Sequence, residues 1–194
     1  MAEYRVRRTI FEKESMIIVE NGALIRTAAP GVRQEISLGD IRGVSLTYQP
    51  LGLVERWVCS VRGPHGRIWL PSASFVGLGR TRDQREAFRG LVEALHGAIE
   101  AEPSTAQIAF TQGSSWSAYS SLVLLVLSGV LAVLLLLAVV GAMADGHGMR
   151  SISWVFLPAL ALFWGARMVW PIWRRNRRHL YALDAIPPTF APRA

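Results

Sequence analysis

The feature that most constrains this chain is a stretch of 23 consecutive residues without a charged side chain, from Leu122 to Ala144. At about 1.5 Å of rise per residue, a helix of this length reaches roughly 34 Å, and the hydrocarbon core of a bilayer is about 30 Å thick. The stretch therefore predicts a transmembrane helix. It begins more than 110 residues into the chain, a position that does not fit a signal peptide.

A second apolar run extends from Ile152 to Trp173 and contains one charge, Arg167. Only the segment from Asp145 to Ser151 separates the two runs. The predicted spans, at about 120–144 and 152–173, therefore form an antiparallel transmembrane hairpin within residues 118–173, with a short external loop. Arg167 has two interpretations, a side chain that snorkels to the interface or a contact to a partner or lipid headgroup.

The orientation of this hairpin follows from the charges that flank it. Four arginines come directly after the second span: Arg174, Arg175, Arg177 and Arg178. The positive-inside rule places this cluster and the tail, residues 174–194, in the cytoplasm, and the hairpin returns the N-terminal region to the same side. With 20 Arg and one Lys, the composition is typical of GC-rich bacterial genes. We expect a multi-pass protein of the bacterial inner membrane.

The N-terminal region has the alternating pattern of β-strands. Asn21-Gly22 separates two β-rich runs, and this dipeptide is the strongest short signal for a hairpin because both positions tolerate positive φ. Further alternating runs surround Ile36, Val44, Trp57 and Ile68. A period of two indicates strands with one buried face. Together with an opening strand from Tyr4 to Phe11, the sequence predicts about seven short antiparallel strands.

The pattern changes to helical spacing after residue 80. Thr81-Arg82-Asp83-Gln84 fits a capping box with Thr81 as the N-cap residue. Apolar residues then recur on one helical face: Phe88, Leu91, Val92, Leu95 and Ile99. Pro103 ends the predicted helix. One amphipathic helix after about seven strands is expected to cap an open end of a small barrel or sandwich.

The order of these elements resembles the bacterial pleckstrin-homology-like (PH-like) and GRAM-like domains. The matching pieces are Glu20 to Ile25, Ile36 to Val44 and Gly66 to Leu70. The resemblance covers about residues 4–102, and we take 1–102 as a cytoplasmic PH-like domain. It implies an all-β PH-like roll, with two nearly orthogonal sheets capped by a C-terminal helix, and a binding module without catalytic activity.

Two groups of arginines are candidate anion or lipid contacts. Arg80, Arg82 and Arg85 lie at the predicted start of the helix, where free backbone N–H groups attract anions. The alternative is a solvated basic face offset by Asp83 and Glu86. Arg174, Arg175, Arg177 and Arg178 are expected to attract anionic lipid at about 1 kcal/mol per charge.

Two segments connect or extend these regions. Residues 103–117 are rich in Ser, Thr, Gln and Gly and are predicted to be a linker. The Pro-rich tail carries four candidate docking residues, Tyr181, Ile186, Pro187 and Phe190. It is either a disordered tail or an extended peptide that docks these residues on a partner or on the chain's own barrel.

Little in the sequence indicates catalysis. The single cysteine, Cys59, excludes an internal disulfide framework and is expected to be buried and inert. The four histidines share no metal-ligand spacing, and no Gly-rich phosphate loop or catalytic motif is present. Aromatic residues do not alternate with basic residues on a sheet face, so we expect no nucleic-acid binding. We expect no cofactor and no metal.

These observations favour a non-enzymatic integral membrane protein. The leading hypothesis is that its cytoplasmic PH-like domain mediates protein interaction, as an accessory or assembly subunit of a membrane complex. The alternative is a membrane module that senses anionic lipid. The expected partners are accordingly the lipid bilayer and a second membrane protein.

Overall fold

A computed structural model describes residues 2–28, 31–50, 54–102, 108–144 and 153–181. The chain divides into two units. We call Met1–Gly113 together with Arg178–Ala194 the β unit, and Ser114–Arg177 the helical unit. The predicted external loop and the candidate docking residues Ile186, Pro187 and Phe190 lie outside the described residues.

The described residues form strands and helices with the following bounds. The strands are β1 (Ala2–Val6), β2 (Ser15–Glu20), β3 (Ala23–Ala28), β4 (Val32–Ser37), β5 (Gly43–Tyr48), β6 (Trp57–Gly63), β7 (Gly66–Pro71), β8 (Ala73–Gly77), β9 (Arg80–Asp83), β10 (Ala109–Gln112) and β11 (His179–Leu180). The helices are α1 (Arg85–Glu100), α2 (Ser115–Ala144) and α3 (Ser153–Arg175), and a short 3-10 turn covers Leu38–Asp40.

The first sheet is an antiparallel meander in the order β1-β2-β3-β4. Asn21 and Gly22 connect β2 to β3 with φ values of 50° and 71°. Positive φ at both positions is the requirement of a tight hairpin turn, which Asn and Gly meet at low cost. The predicted Asn-Gly hairpin is thereby confirmed.

The second sheet has the order β11-β10-β5-β6-β7. Its central part, β5-β6-β7, is antiparallel, whereas β10 pairs parallel to β5 and β11 pairs antiparallel to β10. The sheets approach closely at Gly63, where an added Cβ would lie 2.8 Å from the side chain of Ile36 in the first sheet. A glycine is therefore needed at this position for the two sheets to pack.

The predicted start of α1 at Thr81 is wrong. Residues 80–83 form β9, which pairs with β8 through Thr81 opposite Phe75 and Arg82 opposite Ser74. The helix begins at Arg85, and its N-cap residue Gln84 makes no side-chain capping bond. The capping-box residues pair with β8 as a strand and do not start the helix. With β8 and β9, the number of strands before α1 is nine, and the prediction was about seven.

The apolar face of α1 covers the core of the β unit. The five residues predicted for this face, Phe88, Leu91, Val92, Leu95 and Ile99, are all buried. Tyr4 packs against Phe88 at 6.5 Å between ring centroids, and its hydroxyl donates to the carbonyl of Pro71 at 2.6 Å. The predicted amphipathic helix is thereby confirmed. Strand β6 departs from simple alternation, since Val58 and Ser60 are buried as well as Trp57 and Cys59.

The segment predicted as a linker contains a strand. β10 lies within residues 103–117 and extends the second sheet, with Phe110 opposite Val44 and buried. The β unit therefore extends beyond the predicted boundary at residue 102, as far as Gly113, and takes in the chain again from Arg178.

The helical unit contains one helix that is long and apolar enough to cross a membrane. This helix covers Ser115–Gly141 within α2, and none of the residues in its most apolar stretch is buried. α3 contacts α2 but does not meet the same test over its described residues. Two prolines, Pro158 and Pro171, and the charges Arg167, Arg174 and Arg175 make α3 less apolar than α2.

Candidate functional site

The structure divides the three arginines predicted at the helix start between a strand and the helix. Arg80 and Arg82 belong to β9, and only Arg85 lies in α1. The backbone N–H of Arg85 donates to Asp83 at 3.0 Å, and its guanidinium pairs with Asp83 at 2.7 Å and with Glu55 at 3.4 Å. Asp83 therefore already neutralises this helix terminus, and the hydrogen bond to Asp83 is the main cause that raises the pKa of Arg85.

The four arginines after the second apolar run are divided between the two units. Arg174 and Arg175 end α3, and the guanidinium of Arg177 lies 4.0 Å from the ring centroid of Trp173 in the helical unit. Arg178 belongs to the β unit, where it lines a pocket on the second sheet. The cluster is therefore continuous in sequence, but three of its arginines belong to the helical unit and one lines a pocket of the β unit.

Tyr181 packs on the β unit of its own chain. Its ring stacks on His96 at 5.9 Å between centroids and lies 5.8 Å from Phe110. The backbone N–H of Tyr181 donates to the carbonyl of Phe110 at 3.2 Å. Burial raises the pKa of the Tyr181 phenol well above its ordinary value. Of the four candidate docking residues, Tyr181 is the one the structure describes, and it contacts the chain's own domain.

The outer face of the second sheet carries a pocket whose floor consists of small and hydroxyl residues. Cross-strand pairing aligns Thr111 with Ser45 and Ser45 with Ser60. The adjacent row on the same face aligns Ala109 with Gly43, because residues two apart along a strand share a face. Small side chains in both rows leave a depression of about 320 Å³ above the sheet.

Four arginines surround this depression, and we call it the arginine pocket. The arginines come from the turn before β5, from β6, from β7 and from the residue before β11: Arg42, Arg62, Arg67 and Arg178. No acidic residue lines the pocket within the described part of the chain. The guanidinium of Arg67 lies 5.5 Å from the ring centroid of Trp69, which follows Ser60 in its cross-strand row.

Among its described residues, the β unit has four pocket arginines and ten other arginines. Five of the latter pair with carboxylates at 2.6–3.4 Å, namely Arg5, Arg8, Arg33, Arg85 and Arg89. Within the described part of the chain, none of the four pocket arginines forms an ion pair. The other five, Arg7, Arg26, Arg56, Arg80 and Arg82, form no ion pair there either, so the pocket is distinguished by the gathering of four unpaired arginines around one depression.

Ser60 supplies a buried polar group on the pocket floor. Its side chain is 6% exposed, and among the described residues its hydroxyl has no hydrogen-bond partner. A buried hydroxyl without a partner costs free energy, so native proteins seldom keep one without a reason. A ligand oxygen on the floor would satisfy this hydroxyl.

A second cavity, of about 270 Å³, lies between β4 and the turn that connects β6 to β7. Its lining includes Arg33 and Arg67, but also Glu35 and Asp40. The opposite charges nearly balance, and Arg33 already pairs with Glu35 at 2.8 Å. The described lining of this cavity carries both positive and negative side chains, whereas that of the arginine pocket carries only positive ones.

Other chemistry is limited in the described regions. Cys59 is fully buried, and burial raises the pKa of its thiol to about 12, so the nucleophilic thiolate is suppressed. In the ranges that the structure describes, no group of three or more His, Cys, Asp or Glu residues is placed to hold a metal ion.

The chain matches no family model, no curated protein and no solved structure. The arginine pocket was not predicted from the sequence, because its residues are spread from position 42 to position 178. One local signal was present: Arg62 and Arg67 flank the turn at Gly63–Gly66 on the solvent-facing positions of two otherwise apolar strands.

Proposed function

We propose that this chain is a non-enzymatic membrane protein whose cytoplasmic PH-like domain binds an anionic group at the bacterial inner membrane. The domain would be carried on the hairpin formed by α2 and α3, with both chain ends in the cytoplasm. Of the two hypotheses from the sequence, this one corresponds to anionic-lipid sensing. The single observation that carries it is the arginine pocket.

The membrane part of the proposal is supported by the exposed apolar side chains of α2. A helix whose apolar residues face outward along its length requires an apolar surrounding, and a bilayer supplies one. α3 is less apolar, but its tryptophans and terminal arginines suit a span that ends at a cytoplasmic interface.

The PH-like assignment is supported by the order of elements. A four-stranded antiparallel meander is followed by the three-stranded meander β5-β6-β7, and an amphipathic helix closes the core. The β8-β9 hairpin and the two strands added at the edge of the second sheet are departures from the expected roll.

Anion binding is supported by charge and geometry together. Four guanidinium groups around one depression repel one another unless an anion lies between them. Arginine is also the side chain best suited to phosphate and carboxylate oxygens, because its planar donors bind them in pairs. A solvated basic face would not need a floor of small residues or a buried hydroxyl.

Protein interaction, as an accessory or assembly subunit, is the second candidate. The observation that favours it is the exposure of two large apolar side chains on the β unit, Phe11 at 91% and Leu78 at 87%. Both lie at turns between strands. Such side chains are suited to a protein contact, although single exposed apolar residues are common.

The test is native mass spectrometry of the full chain, purified from its own membranes in a mild detergent. We expect the wild type and the control Arg80→Gln/Arg82→Gln to retain an anionic ligand, and Arg62→Gln/Arg67→Gln to lose it. Both double variants remove two positive charges from the same unit. Equal retention by all three proteins, or no retained anion, would refute the proposal. A stoichiometric protein that is lost from Phe11→Ser/Leu78→Ser would favour the second candidate.

A further inference from the structure

The arginine pocket contains enough detail to specify the chemistry of its ligand. We propose that it binds a phosphate monoester, a group with close to two negative charges, and that Arg178 closes the site from the segment that follows α3. This inference rests on the proposed function and narrows it to one ligand class. The monoester belongs either to a lipid headgroup or to a soluble molecule.

The charge of the pocket indicates a ligand with more than one negative charge. Among the residues that the structure describes, four arginines and no acidic residue line it. A phosphate monoester carries about −1.5 to −2 at pH 7 and presents three terminal oxygens, whereas a diester carries one charge and presents two. Three oxygens allow paired bonds from more than one guanidinium at once.

The floor of the pocket supplies neutral donors at a matching position. The Ser60 hydroxyl is buried and without a partner in the described structure, and Ser45 and Thr111 lie beside it in the same cross-strand row. The arginines can donate to a tetrahedral phosphate from the sides, and the Ser60 hydroxyl can donate to the same phosphate from the floor. Neither contact by itself would distinguish a phosphate from a carboxylate.

The size and the lining restrict what is attached to the phosphate. About 320 Å³ is near the lower end of small-molecule sites, which range over about 300–1,000 Å³. The volume therefore admits a phosphate with a small polar substituent. Among the described residues, no aromatic side chain lines the pocket, and the neighbouring Trp69 ring is in contact with the Arg67 guanidinium. The described lining therefore offers no free platform on which a nucleobase could stack.

Arg178 makes the site depend on the segment that follows α3. β11 pairs with β10, with His179 opposite Gln112 and Leu180 opposite Thr111. This pairing brings the preceding residue, Arg178, to the pocket. In the sequence β10 precedes α2 and β11 follows α3. A bound phosphate would therefore hold together two strands that are separated by the entire helical unit.

The experiment is calorimetric titration of the full chain in detergent with two small probes, monomethyl phosphate and dimethyl phosphate. We expect the monoester to bind at least ten-fold more tightly than the diester. Each charge-assisted bond contributes about 1.5–3 kcal/mol, which corresponds to about ten- to hundred-fold in affinity. Arg62→Gln/Arg67→Gln should therefore lose at least a hundred-fold, and Arg178→Gln at least ten-fold.

Two further variants separate binding from folding. Ser60→Ala should weaken monoester binding several-fold without lowering the melting temperature, because it removes a hydroxyl that has no partner among the described residues. Arg80→Gln/Arg82→Gln, with the same loss of charge outside the pocket, should change affinity less than two-fold. An equal loss of monoester affinity in the two double variants would overturn the inference, since the binding would then follow net charge alone.

A second arm identifies the source of the phosphate. The full chain is placed in nanodiscs with phosphatidic acid, a lipid monoester, or with phosphatidylglycerol, a lipid diester, at equal mole fraction, and bound lipid is measured after extraction. Retention of phosphatidic acid that depends on Arg62 and Arg67 indicates a lipid headgroup. Binding of the soluble monoester without this retention indicates a soluble ligand, and both results support the inference.

The two levels of the proposal fail in different ways. If the diester probe or phosphatidylglycerol binds as tightly as the monoester and still requires Arg62 and Arg67, the anion-binding function stands and the monoester inference is overturned. If no probe and no anionic lipid binds, both are overturned. If Arg178→Gln binds like the wild type, the closure of the site by the segment after α3 is overturned.

Discussion

Arg62 and Arg67 lie directly opposite each other on the neighbouring strands β6 and β7. Like charges at opposed positions destabilise a sheet, because their side chains are close and repel. The pair stands on the rim of the arginine pocket, where neither residue has an ion-pair partner among the described residues. Two like charges placed opposite each other without a neutralising partner are unfavourable for folding, and such unfavourable placements usually occur at functional sites.

The first prediction concerns this pair. Arg62→Thr should stabilise the β unit by about 0.2–1 kcal/mol, because it removes the repulsion, keeps the contact of Arg67 with Trp69 and introduces a residue favoured in strands. The same change should weaken anion binding. Thermal unfolding with and without monomethyl phosphate measures both effects. As a control, Arg33→Thr loses an exposed ion pair with Glu35 and should give no stabilisation. An Arg62→Thr protein that is less stable than the wild type without phosphate would contradict this account.

The second prediction concerns Tyr181. Tyr181→Ala removes a ring packed against both His96 and Phe110, and by analogy with other buried aromatic residues it should cost about 3 kcal/mol in docking of this segment. Tyr181→Phe keeps the ring and removes a buried hydroxyl without a partner in the described residues, so it should be neutral or slightly stabilising. Hydrogen exchange at the amide of residue 181, which donates to Phe110, measures the docking. Equal exchange in all three proteins would show that the ring does not hold the segment.

The third prediction is a loss of stability at alkaline pH. Burial raises the pKa values of Tyr4 and Tyr181 above the ordinary value of about 10, so each phenol holds its proton longer in the folded chain. The unfolded chain therefore loses protons first, and the stability that these two phenols contribute is present below about pH 10 and falls as the pH rises beyond it. The Cys59 thiol, whose pKa burial raises to about 12, adds a loss of the same sign that begins near its ordinary value of about 8.5. Thermal unfolding between pH 9 and pH 11 tests this, with phenolate absorbance as a second readout. Tyr181→Phe should reduce the fall, and an unchanged pH dependence in that variant would contradict the contribution of Tyr181.

The fourth prediction uses the single cysteine of the chain. Cys59 is fully buried with its thiol pKa raised to about 12, so it should not react with a maleimide until the β unit unfolds. The wild-type chain should therefore give no maleimide labelling, so that any labelling of a variant with one added cysteine reports the position of the introduced cysteine. Leu78→Cys should react with a membrane-impermeant maleimide only after cells are broken, whereas Gly146→Cys should react in spheroplasts. The reverse pattern would refute the cytoplasmic placement of the β unit.

The sequence predicts those parts of the fold that depend on local periodicity. The Asn21-Gly22 hairpin and the apolar face of α1 follow from turn chemistry and helical spacing, and both are found. The start of α1 was wrong because residues 81–84 satisfy a capping box, while their pairing with β8 depends on a tertiary contact that no local pattern contains.

The candidate site also depends on tertiary contacts that no local sequence pattern contains. Arg178 was assigned to lipid contact because it belongs to a continuous basic run, but it precedes β11 and lines the pocket of the β unit. The parallel pairing of β10 with β5 joins segments more than 60 residues apart. The hydroxyl residues of the floor, such as Ser45 and Ser60, look like ordinary solvent-facing strand positions until the register of the sheet places them side by side.

The most direct test of the central claim is a crystal structure of the full chain grown with monomethyl phosphate. The account predicts density for the phosphate on the pocket floor, within hydrogen-bond distance of the Ser60 hydroxyl and of the guanidinium groups of Arg62 and Arg67. An empty pocket at a saturating phosphate concentration, or phosphate bound at Arg80 and Arg82 instead, would contradict it.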